Sequence, residues 1–216
     1  MSSLYVLRPG MHDTVQDRGR FGYQALGFSP SGAMDRRSAA IANILVGNPS
    51  EAAVLECAYV GPCLLVRRSC VVCLTGADMR ATLDGFPLEP YAAVRASAGQ
   101  VIDVGRATWG AYAYLAVSGG IDVPLAMGSR SASARYGLGG VEGRPLREGD
   151  VLPLAQDAPE ILPGMEARVL GSRDAYFDRG RRGARGAPAG SAWSPARGSA
   201  ASAPSGSTRS TARPTP

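Results

Sequence analysis

The chain is 216 residues long and 45% hydrophobic, enough for one sizeable domain with its own core. All 23 basic residues are arginine, which excludes a phosphate-loop lysine, a Schiff-base lysine and any lysine on which this chain could itself carry biotin or lipoate. The formal charge of +5 hides an asymmetry: residues 179–216 carry seven Arg and no acid, leaving 16 Arg against 18 acids in residues 1–178.

The first residues, "MSSLYVLRPG", predict a short strand over 4–7 and are too short in apolar run for a secretion signal. No stretch approaches the ~18 apolar residues of a membrane span, so a cytoplasmic protein is the expectation. His12 is the only histidine, and Asp13 beside it faces the other way on an extended segment, so the pair is no ready-made dyad and His12 reads as an exposed loop residue.

The junction "SPSGAMD" at 29–35 precedes a predicted helix over 34–46. Ser31 or Gly32 is the expected N-cap, with Asp35 in the first turn favouring the positive end of the helix dipole. That same end attracts anions, so the junction reads as both a cap and the wall of a site. Ile41, Ile44 and Leu45 form the predicted apolar stripe, and Gly47-Asn48-Pro49 stops the helix.

Apolar runs at 54–60, 63–66, 70–74, 101–104 and 111–117 predict strands, and Asp84-Gly85 between two short extended segments predicts a type I′ hairpin. Strand spacing of about ten residues indicates a mainly β sandwich or barrel with one or two helices. Cys70 and Cys73 have metal-site spacing, but residues three apart on a strand face opposite ways, so these and Cys57 and Cys63 read as buried thiols with no metal. Beyond Asp178 the chain is almost wholly Ala, Arg, Gly, Pro, Ser and Thr, which predicts a disordered tail over 179–216 after a domain over 1–178.

With one histidine, no lysine and no nucleophile elbow, a conventional hydrolase triad is not expected. Three clusters joining glycine to Arg, Asp or Ser remain, at 14–24, 29–35 and 128–140. Glycines let backbone amides approach a ligand, and Arg or Asp side chains pair with a carboxylate or an amide.

The stretches "TVQDRGRFGYQALGFSPSGAMDRRSAAIANILVGNPSEAAVLE", "LTGAD", "AYLAVSGGIDVPLAMGSRS" and "GGVEGRPLREGDVLPL" resemble the biotin-dependent carboxyltransferase family, which includes allophanate hydrolase subunit 2 and the C subunit of 5-oxoprolinase. The matching motif positions are Gln16, Asp17, Gly19, Arg20, Ser31, Gly32, Asp35, Asn43, Asn48, Glu56, Gly128, Ser129, Arg130 and Ser131. The resemblance implies a cyclophilin-like β-barrel fold and a sister subunit of similar fold. It also implies either ATP-dependent cleavage of 5-oxoproline or carboxyl transfer from carboxybiotin to a urea-like amide. ATP enters by this resemblance alone, and biotin only on a partner protein. The chain departs from the family at Asp13-Thr14, where paired threonines are common, and near Asp178, where relatives continue; a frameshift or truncation there would leave the barrel incomplete.

From these motifs Asp17 and Asp35 are the catalytic candidates, to orient an amide or act as base, and Arg20, Ser31, Gly32, Ser129, Arg130 and Ser131 are the substrate-binding candidates. Arg130 is expected to anchor a carboxylate and to share a cleft with Asp35. Two other functions compete with the enzyme component. One is a regulatory module that pairs with the sister subunit and antagonises a kinase inhibitor. The other is weak, sequence-blind binding of nucleic acid through the tail, the least expected.

Overall fold

Strands form where the sequence alternates or runs on in Val, Leu, Ala and Cys, and turn residues set their ends. The computed structural model describes residues 3–155; chain contacts define two units, Met1–Arg173 and Asp174–Pro216, and every described residue lies in the first. The expectations for the tail and for a break near Asp178 lie outside the described residues.

The elements in order are β1 (Ser3–Arg8), β2 (Asp13–Gln16), a 3-10 turn (Gln24–Leu26), α1 (Arg36–Leu45), β3 (Val54–Ala58), β4 (Cys63–Val66), β5 (Cys70–Asp78), β6 (Thr82–Leu83), β7 (Phe86–Pro87), β8 (Val94–Ala96), β9 (Val101–Asp103), β10 (Trp109–Val117) and β11 (Val151–Pro153). They form a six-stranded sheet ordered β11-β1-β4-β9-β6-β7 and a five-stranded sheet ordered β2-β3-β10-β5-β8. Every pairing between these strands is antiparallel. The predicted mainly β architecture holds, but as two sheets rather than a closed barrel: β11 and β7 end one sheet, and β2 and β8 end the other.

One apolar cluster joins the sheets, drawing Leu4 and Val6 from β1, Leu64 and Val66 from β4, Leu55 from β3, Val72 and Leu74 from β5 and Leu115 and Val117 from β10. Each fully buried Leu here contributes about 2 kcal/mol of transfer free energy. The predicted hairpin is present: Leu83 pairs with Phe86, and Asp84 and Gly85 have φ of 49° and 80°, the two positive values a type I′ turn requires.

Helix α1 covers the outer face of the five-stranded sheet, against β5 and β10. Its orientation differs from the predicted stripe. The buried residues are Ser38, Ala39, Ala42, Asn43 and Leu45, whereas Ile44 is 57% exposed. Alanines let the helix lie close to the sheet, and Thr75 of β5 donates through Oγ1 to the Ser38 carbonyl at 2.8 Å. Asn43 is fully buried because its amide donates to the Ala52 carbonyl at 2.8 Å and its oxygen accepts from Asn48 Nδ2 at 3.0 Å. Polar bonding therefore overrides hydrophobic periodicity in setting the helix face.

Covered on both sides, β5 is buried along almost its whole length. Cys70 packs in the shared core and Cys73, three residues on, lies on the helix side; all four cysteines are free thiols. No helix among the described residues is long and apolar enough to cross a membrane.

Candidate functional site

Strand β2 is an edge strand, and its free edge is covered by the loop that follows Gly128. Ala132 N–H donates to the Val15 carbonyl at 2.8 Å, and Gln16 Nε2 donates to the Ala132 carbonyl at 3.2 Å. This zipper brings residues 129–132 against the end of β2, where Asp17 begins the next loop.

Asp17 is the centre of the arrangement. Its Oδ1 accepts from Ser129 Oγ at 2.6 Å, Ser131 Oγ at 2.6 Å and Gly19 N–H at 2.7 Å, while Oδ2 accepts from Arg130 N–H at 2.6 Å. The Asp17 N–H in turn donates to Ser131 Oγ at 2.9 Å, and Ser131 N–H donates to Ser129 Oγ at 3.0 Å. Burial raises the Asp17 pKa, but the hydroxyls of Ser129 and Ser131 and the amides of Gly19 and Arg130 outweigh it and hold the carboxyl below its ordinary value. A carboxylate so fully engaged is a weak base, and its role here is to tie two loops together.

Arg20 makes the second tie. It is 1% exposed, donates through Nη1 to Ser31 Oγ at 3.0 Å and through Nη2 to the Ser131 carbonyl, and has no acceptor for its buried Nε. The 17–20 and 30–32 loops touch backbone to backbone. A Cβ on Gly19 would lie 2.6 Å from the Pro30 carbonyl oxygen, and one on Gly32 would lie 2.8 Å from that of Arg18. Both glycines also have positive φ, and so does Ser31 at 56°.

Arg130 leaves the knot in another direction. Its backbone is held by Asp17, but its guanidinium Nη2 donates to Asp122 Oδ1 at 2.6 Å, and its Nε is buried without an acceptor.

The predicted cap is corrected: Asp35, not Ser31 or Gly32, caps α1. Its Oδ1 accepts from the amides of Arg37 at 3.0 Å and Ser38 at 3.1 Å, and its Oδ2 accepts from Ser38 Oγ at 2.6 Å. Ser31 and Gly32 sit too early because the chain between them and the helix is held elsewhere. Gly32 N–H donates to Gln16 Oε1 at 3.2 Å, Ala33 N–H to the Asp17 carbonyl at 3.0 Å and Met34 N–H to Glu56 Oε2 at 2.7 Å.

The structure thus brings seven of the eight sequence candidates, Asp17, Arg20, Ser31, Gly32, Ser129, Arg130 and Ser131, into one loop knot. Asp35 lies at its border, where its N–H donates to the Tyr114 hydroxyl at 2.6 Å. Glu56 and Tyr114, which the candidate set omits, hold the chain between the knot and α1 by accepting from the Met34 and Asp35 amides. Burial raises the Glu56 pKa against the Met34 amide, the Tyr114 hydroxyl and His12, and burial likewise raises that of Tyr114. Glu56 stood among the motif positions, and a glutamate inside the apolar run "VLECAYV" was the signal; Tyr114 carried none. Asp122, the partner of Arg130, was also unmarked.

Beside Asp17 lies an opening of about 20 Å³ walled by Arg18, Ala33 and Arg36. It is large enough for a water and far too small for a nucleotide.

Arginines and a half-buried carboxylate are thus gathered by loops beside the β2 edge of a two-sheet, mainly β domain. The chain belongs to the family described as carboxyltransferase domain, subdomain A and B, whose model matches residues 26–185. It is 39% identical over 186 residues to the C subunit of 5-oxoprolinase from Escherichia coli (strain K12), covering 82% of this chain and 60% of that protein. It is also 40% identical over 162 residues to urea amidolyase of Lachancea kluyveri, covering 74% of this chain and 9% of that protein. Among solved structures, the Kluyveromyces lactis urea carboxylase matches with a TM-score of 0.71 at 39% identity, over 75% of this chain and 14% of that one. The chain therefore spans little more than half of the bacterial relative and a small part of the fungal ones.

Proposed function

We propose that this chain is part of a component, of the type of the 5-oxoprolinase C subunit, of an ATP-dependent enzyme that opens a small lactam, acting with a sister subunit. The observation that supports this over the carboxyltransferase reading is the extent of the match within this chain: at near-equal identity 186 residues, 82% of the chain, align with the bacterial protein, against 162 residues, 74%, with the urea amidolyase. Carboxyl transfer to a urea-like amide is the second reading, favoured by the matching family description.

The residues do not fit ATP at the loop knot. Most of its polar atoms are spent on one another, and the adjoining opening is water-sized. Biotin has no lysine to attach to in this chain. Nucleotide and biotin chemistry are accordingly assigned to the partner, and what the present residues do is bind and orient.

Arg130 is the proposed carboxylate anchor, with Asp122 fixing a guanidinium side chain that is one-third exposed. Asp17 and Asp35 are positioning residues, one for the 129–131 loop and one for α1. Arg20 and the serines hold the same loop.

The test uses the intact bacterial relative with its sister subunit. Replacing the equivalent of Arg130 by Ala is expected to raise KM for the lactam with a cost of about 2 kcal/mol in kcat/KM. An unchanged KM removes the anchor, and carboxyl transfer to urea without lactam opening selects the second reading.

A further inference from the structure

We infer that a second site, built from the "LTGAD" motif at the end of β5, binds a small zwitterion of the neutral aliphatic amino-acid type. It uses none of the residues of the Asp17 knot and stands independently of the proposed lactam chemistry. A cavity of about 240 Å³ lies between the end of β5 and the β6–β7 hairpin. That is just below the size of drug-type pockets, which begin near about 300 Å³.

Backbone constraints hold the end of β5 that borders the cavity. Gly76 has φ of 87°, and a Cβ there would stand 2.4 Å from the Tyr112 carbonyl oxygen. The pairing of β5 with β10 slips beyond this point, with the extra residues on β10 between Trp109 and Ala113, and Asp78 at the end of β5 lines the cavity. The Asp78 carbonyl is fixed by the amide of Thr108 at 2.7 Å and its hydroxyl at 3.1 Å. Next to Pro90 of the lining, Tyr91 is 1% exposed. Its N–H donates to the Leu74 carbonyl at 2.8 Å, and its hydroxyl accepts from Gly76 N–H at 3.0 Å. Arg80 in the lining has φ of 54°, a strained value for a side-chain-bearing residue, of the kind that collects at ligand sites.

The lining is an apolar floor with charges of both signs at the rim. Leu74, Met79 and Leu88 are buried and form the floor, while Asp78, Glu89 and Arg80 supply two carboxylates and one guanidinium. Arg80 Nε is 3.9 Å from Asp78 Oδ2, the outer limit of an ion pair, and the Arg80 side chain is 73% exposed, so it can turn to a ligand carboxylate at little cost. A bound ammonium then faces the two acids, the carboxylate faces Arg80, and the aliphatic side chain covers the floor. Phosphates are disfavoured by two acids against one arginine. The described residues offer no group of three metal-binding side chains.

Titration calorimetry of the full chain with L-norvaline tests the proposal, with N-acetyl-L-norvaline and butylamine as single-charge controls. Saturable binding of L-norvaline is expected, at least tenfold tighter than either control and weakened at least tenfold in Arg80→Gln. Because Arg80 is exposed, that variant keeps the fold; Asp78→Asn is expected to weaken binding similarly. Absence of binding by L-norvaline, equal binding by butylamine or the N-acetyl form, or unchanged binding in a folded Arg80→Gln protein overturns the proposal.

Discussion

Strand β2 begins at a buried aspartate and is followed at once by a half-buried one, four residues apart and in opposite surroundings. Asp17 receives two hydroxyls and two amides and is held below its ordinary pKa. Asp13 is 1% exposed and leaves its Oδ1 without a partner. Burial pushes it up to about 6, although the Gly10 amide, the Cys57 thiol and His12 all pull it down. The lesson is that burial alone does not decide the charge of a carboxyl; the number of donors aimed at it does.

The largest expected effect breaks the well-served end. Asp17→Ala leaves two buried hydroxyls and two amides unsatisfied and should cost about 3–5 kcal/mol in denaturant unfolding. A loss below about 1 kcal/mol would mean the loops hold together without the carboxylate.

The other end predicts a pH dependence of opposite sign. Between its unfolded pKa of 3.8 and its folded value of about 6, the native state holds the Asp13 proton more tightly than the unfolded chain does. Stability therefore falls as pH rises through that window, by an amount on the order of 2–3 kcal/mol. Glu56, raised by the same cause, adds in the same direction. Asp17 works the other way: its contribution is present above the ordinary carboxyl range and lost as pH falls through its lowered value. Asp13→Asn should flatten the slope between pH 4 and about 6 and leave the acid limb of Asp17 intact. An unchanged slope would show that Asp13 titrates normally.

Asp35 sharpens the comparison as a third carboxylate, well supplied with donors but at a helix end near solvent. Asp35→Ala should cost about 1–2 kcal/mol and speed amide exchange first in the opening turn of α1. A loss as large as that at Asp17 would show that the cap is continuous with the knot.

The sequence made the strands and the hairpin readable because apolar runs and Asp-Gly turns report local physics. It also drew attention to the three clusters that meet at Asp17, through their joining of glycine with Arg, Asp and Ser. What it could not carry was pairing. "DTVQ" looks like loop because β2 is polar, and it is buried only because β3 and the 129–132 loop lie on either side of it. The cap was misplaced because Ser31 and Gly32 are taken by Arg20 and Gln16, partners more than ten residues away. Tyr114 and Asp122 stand in stretches that read as ordinary strand and turn.

The Asp17 knot also sets an order of events in biosynthesis. Its hydroxyl partners lie 112 and 114 residues downstream. At ribosomal speeds of about 5–20 residues per second, Asp17 and Arg20 wait on the order of 5–20 seconds for the groups that will satisfy them. Closing so long a loop costs about 4 kcal/mol of chain entropy beyond its fixed part. Only a chain that has already paired β3, β10 and β5 brings the two loops near enough to meet that cost. The knot is thus a late closure in the domain, and its half-buried Asp17 and buried Arg20 find their partners only in molecules whose sheets have paired correctly.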